Sequence, residues 1–205
     1  METMNYKGYD YTIEQDTMGD SREWDNLGTM ICTHRRYNLG DTHRVDFSNC
    51  NSWQEYRNAI VREYGIDCII LPLYLMDHSG LSISTTSYND RWDSGRIGYI
   101  VVSREKARKE LGVKRISSKT KNQILNQLKG EVKTYNQDLT GDVWYFQITK
   151  GNEEIDACGG MYGYDETVKE IESTIDYMIL QEQKNTGIQM ELELSVDINK
   201  MELVA

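Results

Sequence analysis

The chain has 205 residues, 39% of them hydrophobic, which suits one domain of ordinary size with its own core. Its formal net charge of −10 counts against non-specific nucleic-acid binding by the chain as a whole. It has no apolar run of about 18 residues, so no transmembrane helix is expected, and the start METMNYKGYD lacks the basic-then-apolar pattern of a secretory signal.

Cys32, Cys50, Cys68 and Cys158 lie far apart with no CxxC, the pattern of free thiols in a reducing cytoplasm. The charge is uneven. Residues 1–50 carry 9 acids and 5 bases, residues 51–149 carry 11 and 14, and residues 150–205 carry 13 and 4. Within the middle, Arg104 to Lys133 holds 10 bases against 3 acids. Such asymmetry fits either partner surfaces or differently solvated faces of one domain. The basic stretch 104–133 is the one place where direct nucleic-acid binding has a sequence basis.

In chain order, Tyr6 to Ile13 reads as a first strand and Gln15 to Asn26 as a polar loop. Leu27 to Cys32 reads as a short strand, and Thr33 to Asp46 as an irregular segment. Ser52 with Glu55 forms a capping box for a helix whose face is Trp53, Tyr56, Ile60 and Tyr64, stopped by Gly65. Ile66 to Met76 is an apolar strand in which Pro72 calls for an edge position or a bulge. A polar loop from Asp77 leads to a second apolar run, Ile97 to Val102. Ser103 caps a helix over Arg104 to Leu111, ended by Gly112. Ser118 caps a longer one with Ile124, Leu125, Leu128, Val132, Tyr135 and Leu139 on one face.

Asp142 to Thr149 has the β-branched and aromatic content of a strand. Lys150 to Glu153 makes a hairpin turn, Glu154 to Ala157 returns, and Gly159, Gly160 and Gly163 form a loop. Asp165 starts a helix with Val168, Ile171, Ile175, Met178 and Ile179 on its apolar face, and Gly187 follows it. Ile188 to Ile198 alternates apolar with polar and acidic residues at period two, the pattern of an amphipathic strand. The expected fold is α+β, with a largely antiparallel sheet and helices packed on one face. A single domain is expected over 1–185. The strand within 186–205 is appended to it or pairs with a partner, with a homodimer through 188–198 as one option.

The chemistry concentrates in Cys68 to Ser103, CIILPLYLMDHSGLSISTTSYNDRWDSGRIGYIVVS. Asp77, His78 and Asp93 are the candidate catalytic residues, with Ser79 or Cys32 as nucleophile or with paired carboxylates doing acid–base work. Turn-capping roles for these aspartates are the plainer alternative. Trp24-Asp25 echoes Trp92-Asp93, each pair preceding a glycine and an apolar run. The two turns therefore either bracket one cleft or share turn chemistry. Trp24, Asp25, His34, Arg35, Arg36, Arg91, Trp92 and Asp93 are the candidate ligand-binding residues, with the arginines gripping an anion or pairing with acids of the same domain. Cys32, His34, Asp41, His43, Asp46, Asp77 and His78 are metal-ligand types, but their spacing matches no standard zinc pattern, so no metal and no cofactor are assigned. GxxxxGK[ST], HExxH and a strand-borne GxGxxG are absent.

The stretches REWDNLGTMICTHRRYNLGD, LPLYLMDHSG, RWDSGRIGYI, GDVWYFQI and CGGMYGY together resemble an uncharacterised protein family of bacteriophages and mobile elements of gut and related bacteria. The resemblance spans about residues 9 to 180. It implies a phage accessory protein in the host-cell cytoplasm. Acidic phage proteins of this size are often inhibitors of host defence, of anti-CRISPR or antirestriction type, so the resemblance implies that role here. The expected action is then non-enzymatic binding of a host or defence protein through acidic surfaces. The alternative is a small metal-dependent hydrolase or nuclease using Asp25, Asp77, His78 and Asp93, or an anionic-ligand binder using Arg35, Arg36 and Arg91.

Overall fold

A computed structural model describes residues 3–17 and 19–202, with the side chains of the last helix described through Thr186. In chain order the elements are β1 (Thr3–Tyr6), β2 (Tyr9–Gln15), a 3-10 turn (Ser21–Glu23), β3 (Thr29–Cys32), α1 (Trp53–Tyr64), β4 (Ile69–Asp77), β5 (Leu81–Ser84), β6 (Ser94–Val102), α2 (Arg104–Glu110), α3 (Ser118–Thr140), β7 (Val143–Lys150), β8 (Glu153–Tyr162) and α4 (Tyr164–Glu202). The fold is α+β and, among the described residues, every strand pairing is antiparallel. The strands form two four-stranded sheets rather than one, ordered β1-β2-β7-β8 and β3-β6-β4-β5. The chain divides accordingly into two compact units, where the sequence suggested a single domain. Unit 1 runs up to Asp16 and resumes at Val143; unit 2 is Thr17–Asp142.

In unit 1 the expected first strand is broken by a two-residue turn. Lys7 (φ 50°) and Gly8 (φ 87°) both take left-handed backbone, the hairpin geometry that joins Tyr6 to Tyr9 in register. Gly151-Asn152 is also a two-residue turn, joining β7 to β8 with Lys150 opposite Glu153, but there only Gly151 (φ 65°) takes left-handed backbone. The Gly159-Gly160 segment is a part of β8 rather than a loop. The register shifts there, Gly160 has φ 70°, and its N–H donates to the Asp16 carboxylate at 2.8 Å. α4 lays Ile171 and Ile175 on Tyr9, Tyr11, Phe146 and Ile148.

The backbone of α4 stays helical through Glu202, so the strand expected over 188–198 is corrected. Leu, Met, Glu and Gln, which make up much of that stretch, are strong helix formers despite their period-two order. Extending an existing helix also needs no new nucleus, and Gly187 costs only about 1 kcal/mol inside it.

In unit 2 the helices cover both faces of the sheet, not one. α3 and α2 bury Ile124, Leu128, Val132 and Ala107 against Met30, Leu73, Leu75, Ile100 and Val102. On the other face α1 brings Ile60, Trp53 and Tyr56 to Ile31, Tyr99 and Val101. Two-sided burial explains why β6 reads as a continuous apolar run and not an alternating one. Each enclosed Ile, Leu or Val contributes about 1.5–3 kcal/mol. The α1 cap forms as expected, with the Glu55 N–H donating to Ser52 Oγ at 3.3 Å, although Glu55 reaches back to the Asn51 N–H and not to that of Ser52. α3 is capped by Ser117, one residue before the expected Ser118. Pro72 sits where β4 has only β6 beside it, since β5 pairs with Tyr74–Asp77 alone.

A candidate ligand-binding cleft in unit 2

Three pieces of unit 2 build the cleft. β4 ends at Asp77, and a tight turn through His78, Ser79 (φ 55°) and Gly80 (φ 153°) reverses the chain into β5. The loop after β5 returns through Asp90, whose Oδ1 accepts the N–H groups of Trp92 (2.7 Å) and Asp93 (2.9 Å). These backbone bonds hold the Asp90 carboxyl below its ordinary range. The same turn pushes Trp92 outward, 95% exposed. Asp77 N–H then donates to the Asp93 carbonyl at 2.8 Å, closing the two loops on each other.

The third piece is the segment after β3. Thr33 N–H donates to the Ile97 carbonyl at 2.7 Å, which brings His34 and Arg36 alongside the start of β6. His34 stacks on Tyr37 with ring centroids 4.9 Å apart. Its Nδ1 accepts the Arg36 N–H at 3.3 Å, which places the imidazole hydrogen of the neutral ring on Nε2. Arg36 pairs with the Asp77 carboxylate, and Tyr37 Oη lies 3.5 Å from that carboxylate's other oxygen. His78 Nδ1 bonds Asp93 Oδ2 at 2.6 Å.

The sheet supplies the floor. Leu73 pairs with Gly98 but Tyr74 pairs with Arg96, so Ile97 is the extra residue of a bulge. The bulge sends Ile97 into the α3 core and sets Arg96 beside Tyr74. Arg96 donates to Tyr74 Oη at 2.7 Å and to Tyr99 Oη at 3.3 Å, and its guanidinium lies 5.2, 5.5 and 6.0 Å from the ring centres of Tyr74, Tyr99 and Trp53. The Tyr74 bond leads in raising its already high pKa, so it is always a cation. Among the described residues Arg96 has no carboxylate partner, and three of its five N–H donors have no acceptor. Arg96, His34, Arg36, Asp77, Trp92 and Asp93 line a cavity of about 290 Å³.

The cleft thus unites His34, Arg36, Asp77, Trp92 and Asp93, all expected from the sequence, with His78 bonded to Asp93 beside it. It does not include Trp24 and Asp25, or Arg35 and Arg91. Trp24 and Asp25 follow the 3-10 turn that Asp20 caps and that Ser21 ties to Asp138 of α3. The Trp-Asp echo therefore does not bracket one site. In each loop a different aspartate, Asp20 or Asp90, accepts the turn's N–H groups.

Of the hydrolytic candidates, Asp77, His78 and Asp93 are brought together. His78 and Asp93 make an oriented pair, but neither Ser79 nor Cys32 bonds His78 among the described residues. Burial also pushes the Cys32 thiol up to about 12, which keeps it protonated and unreactive. Asp41, grouped with Cys32 by sequence, is held by Arg22 and by the Met30 N–H. Among the described residues no three His, Cys, Asp or Glu side chains converge on a point. Asp77 is paired with Arg36 and Asp93 is hydrogen-bonded to His78, whereas Arg96 has no carboxylate in ion-pair contact among the described residues.

Comparison with protein-family models, curated proteins and solved structures returned no match. The reading of the cleft therefore rests on its chemistry. Sequence reasoning missed Arg96 and its Tyr74, Tyr99 and Trp53 cage. The sequence shows only an arginine at the start of an otherwise apolar strand; its half-burial follows from the register shift in β6.

Proposed function

We propose that the chain is a binding protein whose unit 2 cleft takes a small anion. The observation that carries this reading is Arg96, a half-buried guanidinium caged by three aromatic rings, facing a cavity, with no carboxylate in ion-pair contact among the described residues. The aromatic cage holds the guanidinium in place and leaves three of its N–H donors for an anion to accept from. His34 adds an N–H donor, and Arg36, held on Asp77, sits at the rim. In a thermal-shift screen of phosphate, sulfate and small carboxylates, at least one anion raises the melting temperature of the full chain, by an amount that grows with its concentration. Arg96→Gln abolishes that rise, whereas Arg91→Gln, outside the cleft, retains it. Equal rises in the two variants would count against the site.

A second reading is favoured by the charge distribution. Unit 1 holds 17 acidic residues against 5 basic, while unit 2 holds 16 against 18. Glu153, Glu154, Asp165, Glu166, Glu170, Asp176 and Glu182 are exposed on β8 and α4. This surface suits a basic face of a partner protein, and the inhibition of host defence implied by the phage-family resemblance, in a host cytoplasm, would be one setting for it. Binding to a basic defence effector is expected to weaken steeply as salt rises from low to physiological concentration. Salt-independent binding, or none at low salt, contradicts this reading. Nucleic-acid contact through 104–133 has less support: those residues belong to unit 2, whose formal charge is only +2. Among the described residues no helix is long and apolar enough to cross a membrane.

A further inference from the structure

We propose that the anion taken by the cleft is an aromatic phosphate of nucleoside monophosphate type, with its ring on Trp92 and its phosphate on Arg96; this rests on the anion-binding reading above. Trp92 is the most exposed large hydrophobic side chain described, at 95%, yet it lines the same cavity as Arg96. Its ring makes no stacking or cation–π contact with any described residue. The turn that presents it is built rather than slack, since Asp90 accepts two N–H groups and Ser94 Oγ donates to the Asp90 carbonyl. An indole fixed outward at the lip of a cavity that holds a guanidinium with free donors is a platform for a planar ring.

The donors inside select the other end of the ligand. Arg96 offers three N–H groups in fork geometry and His34 offers Nε2–H. Donors on two separate side chains suit a tetrahedral phosphate with several terminal oxygens better than one flat carboxylate. The volume is at the lower end of the roughly 300–1,000 Å³ of small-molecule pockets, which fits one phosphate and a sugar with the ring outside. The cavity's two carboxylates are tied to Arg36 and His78, so the free donors are those of Arg96 and His34.

The test is calorimetric titration of the full chain, at low salt, with AMP, UMP, adenosine and inorganic phosphate. The proposal predicts that AMP or UMP binds more tightly than both phosphate and adenosine. Trp92→Ala is expected to weaken nucleotide binding about fivefold or more, a larger loss than for phosphate. Its exposure makes misfolding an unsuitable explanation for that loss. Arg96→Gln, checked for folding by circular dichroism, should bring nucleotide affinity down to that of adenosine. If phosphate binds through Arg96 but the nucleotides bind no tighter and Trp92→Ala is silent, the aromatic assignment is overturned while the anion site stands. If neither phosphate nor nucleotide binds, both fall.

Discussion

Replacing Arg22 with alanine is expected to destabilise the chain by roughly 3–5 kcal/mol, the cost of leaving buried charge unpaired. The Arg22 side chain is 6% exposed, and its carboxylate partners Asp41 and Glu131 are 19% and 10% exposed. Arg22 donates to both oxygens of Asp41, at 2.8 and 2.6 Å, and to the Gly28 carbonyl at 2.9 Å, with Glu131 at 3.5 Å. The two acids in turn fix the backbone, Asp41 accepting the Met30 N–H and Glu131 those of Leu27 and Gly28. One guanidinium therefore ties the entry to β3, the loop after it and α3 together. Burial already pushes the Glu131 carboxyl up. Without Arg22 the two carboxylates would face each other with no cation between them. Urea unfolding should show a lower midpoint with little change in slope. A loss below about 1 kcal/mol, as for an exposed ion pair, would mean the cluster is not a structural anchor.

Gly98→Ala is expected to cost about 3 kcal/mol or more. A Cβ at position 98 would lie 1.9 Å from the Ile31 carbonyl oxygen and 3.0 Å from the Cys32 Cα. Both are backbone atoms of β3, the strand paired with β6 there, so no rotamer change relieves the clash. The same bulge sets Arg96, so the variant should also lose anion binding. Gly95→Ala is the control. A Cβ there meets nothing within 4 Å, and its stability should change by no more than about 0.5 kcal/mol. Equal effects in the two variants would contradict the close strand approach.

Local signals in the sequence carried over well. Ser52, Ser103 and Gly65 mark helix ends as their chemistry requires, and the buried stripe of α3 is the one its spacing predicts, with Ile124, Leu128, Val132 and Tyr135 inward. What failed depends on backbone freedom or on partners far along the chain. Lys7 in left-handed backbone has no propensity signal, so the first hairpin reads as one strand. β5 is only four residues long and hides in a polar loop. Gly159-Gly160 reads as a loop because bulges and loops use the same residues. Period two at 188–198 lost to helix propensity.

The site was legible as a set of residue types and illegible as a shape. Asp77, His78 and Asp93 are close in sequence, and their pairing followed. His34 and Arg36 join them only because β6 lies between β3 and β4 in the sheet, an order the sequence does not announce. Arg96 was hidden for a related reason. Its direction is set by a one-residue register shift, and a single slip sends a side chain to the opposite face.

Arg96 is the group on which anion binding in the cleft depends, and NMR titration of the full chain with inorganic phosphate tests that dependence residue by residue. The Arg96 Nε–H resonance and the amides of Ser94 to Ile97 should move together and saturate, with Arg36 following. Shifts confined to the lysines of α2 and α3, or a cleft that does not respond at millimolar phosphate, would contradict it.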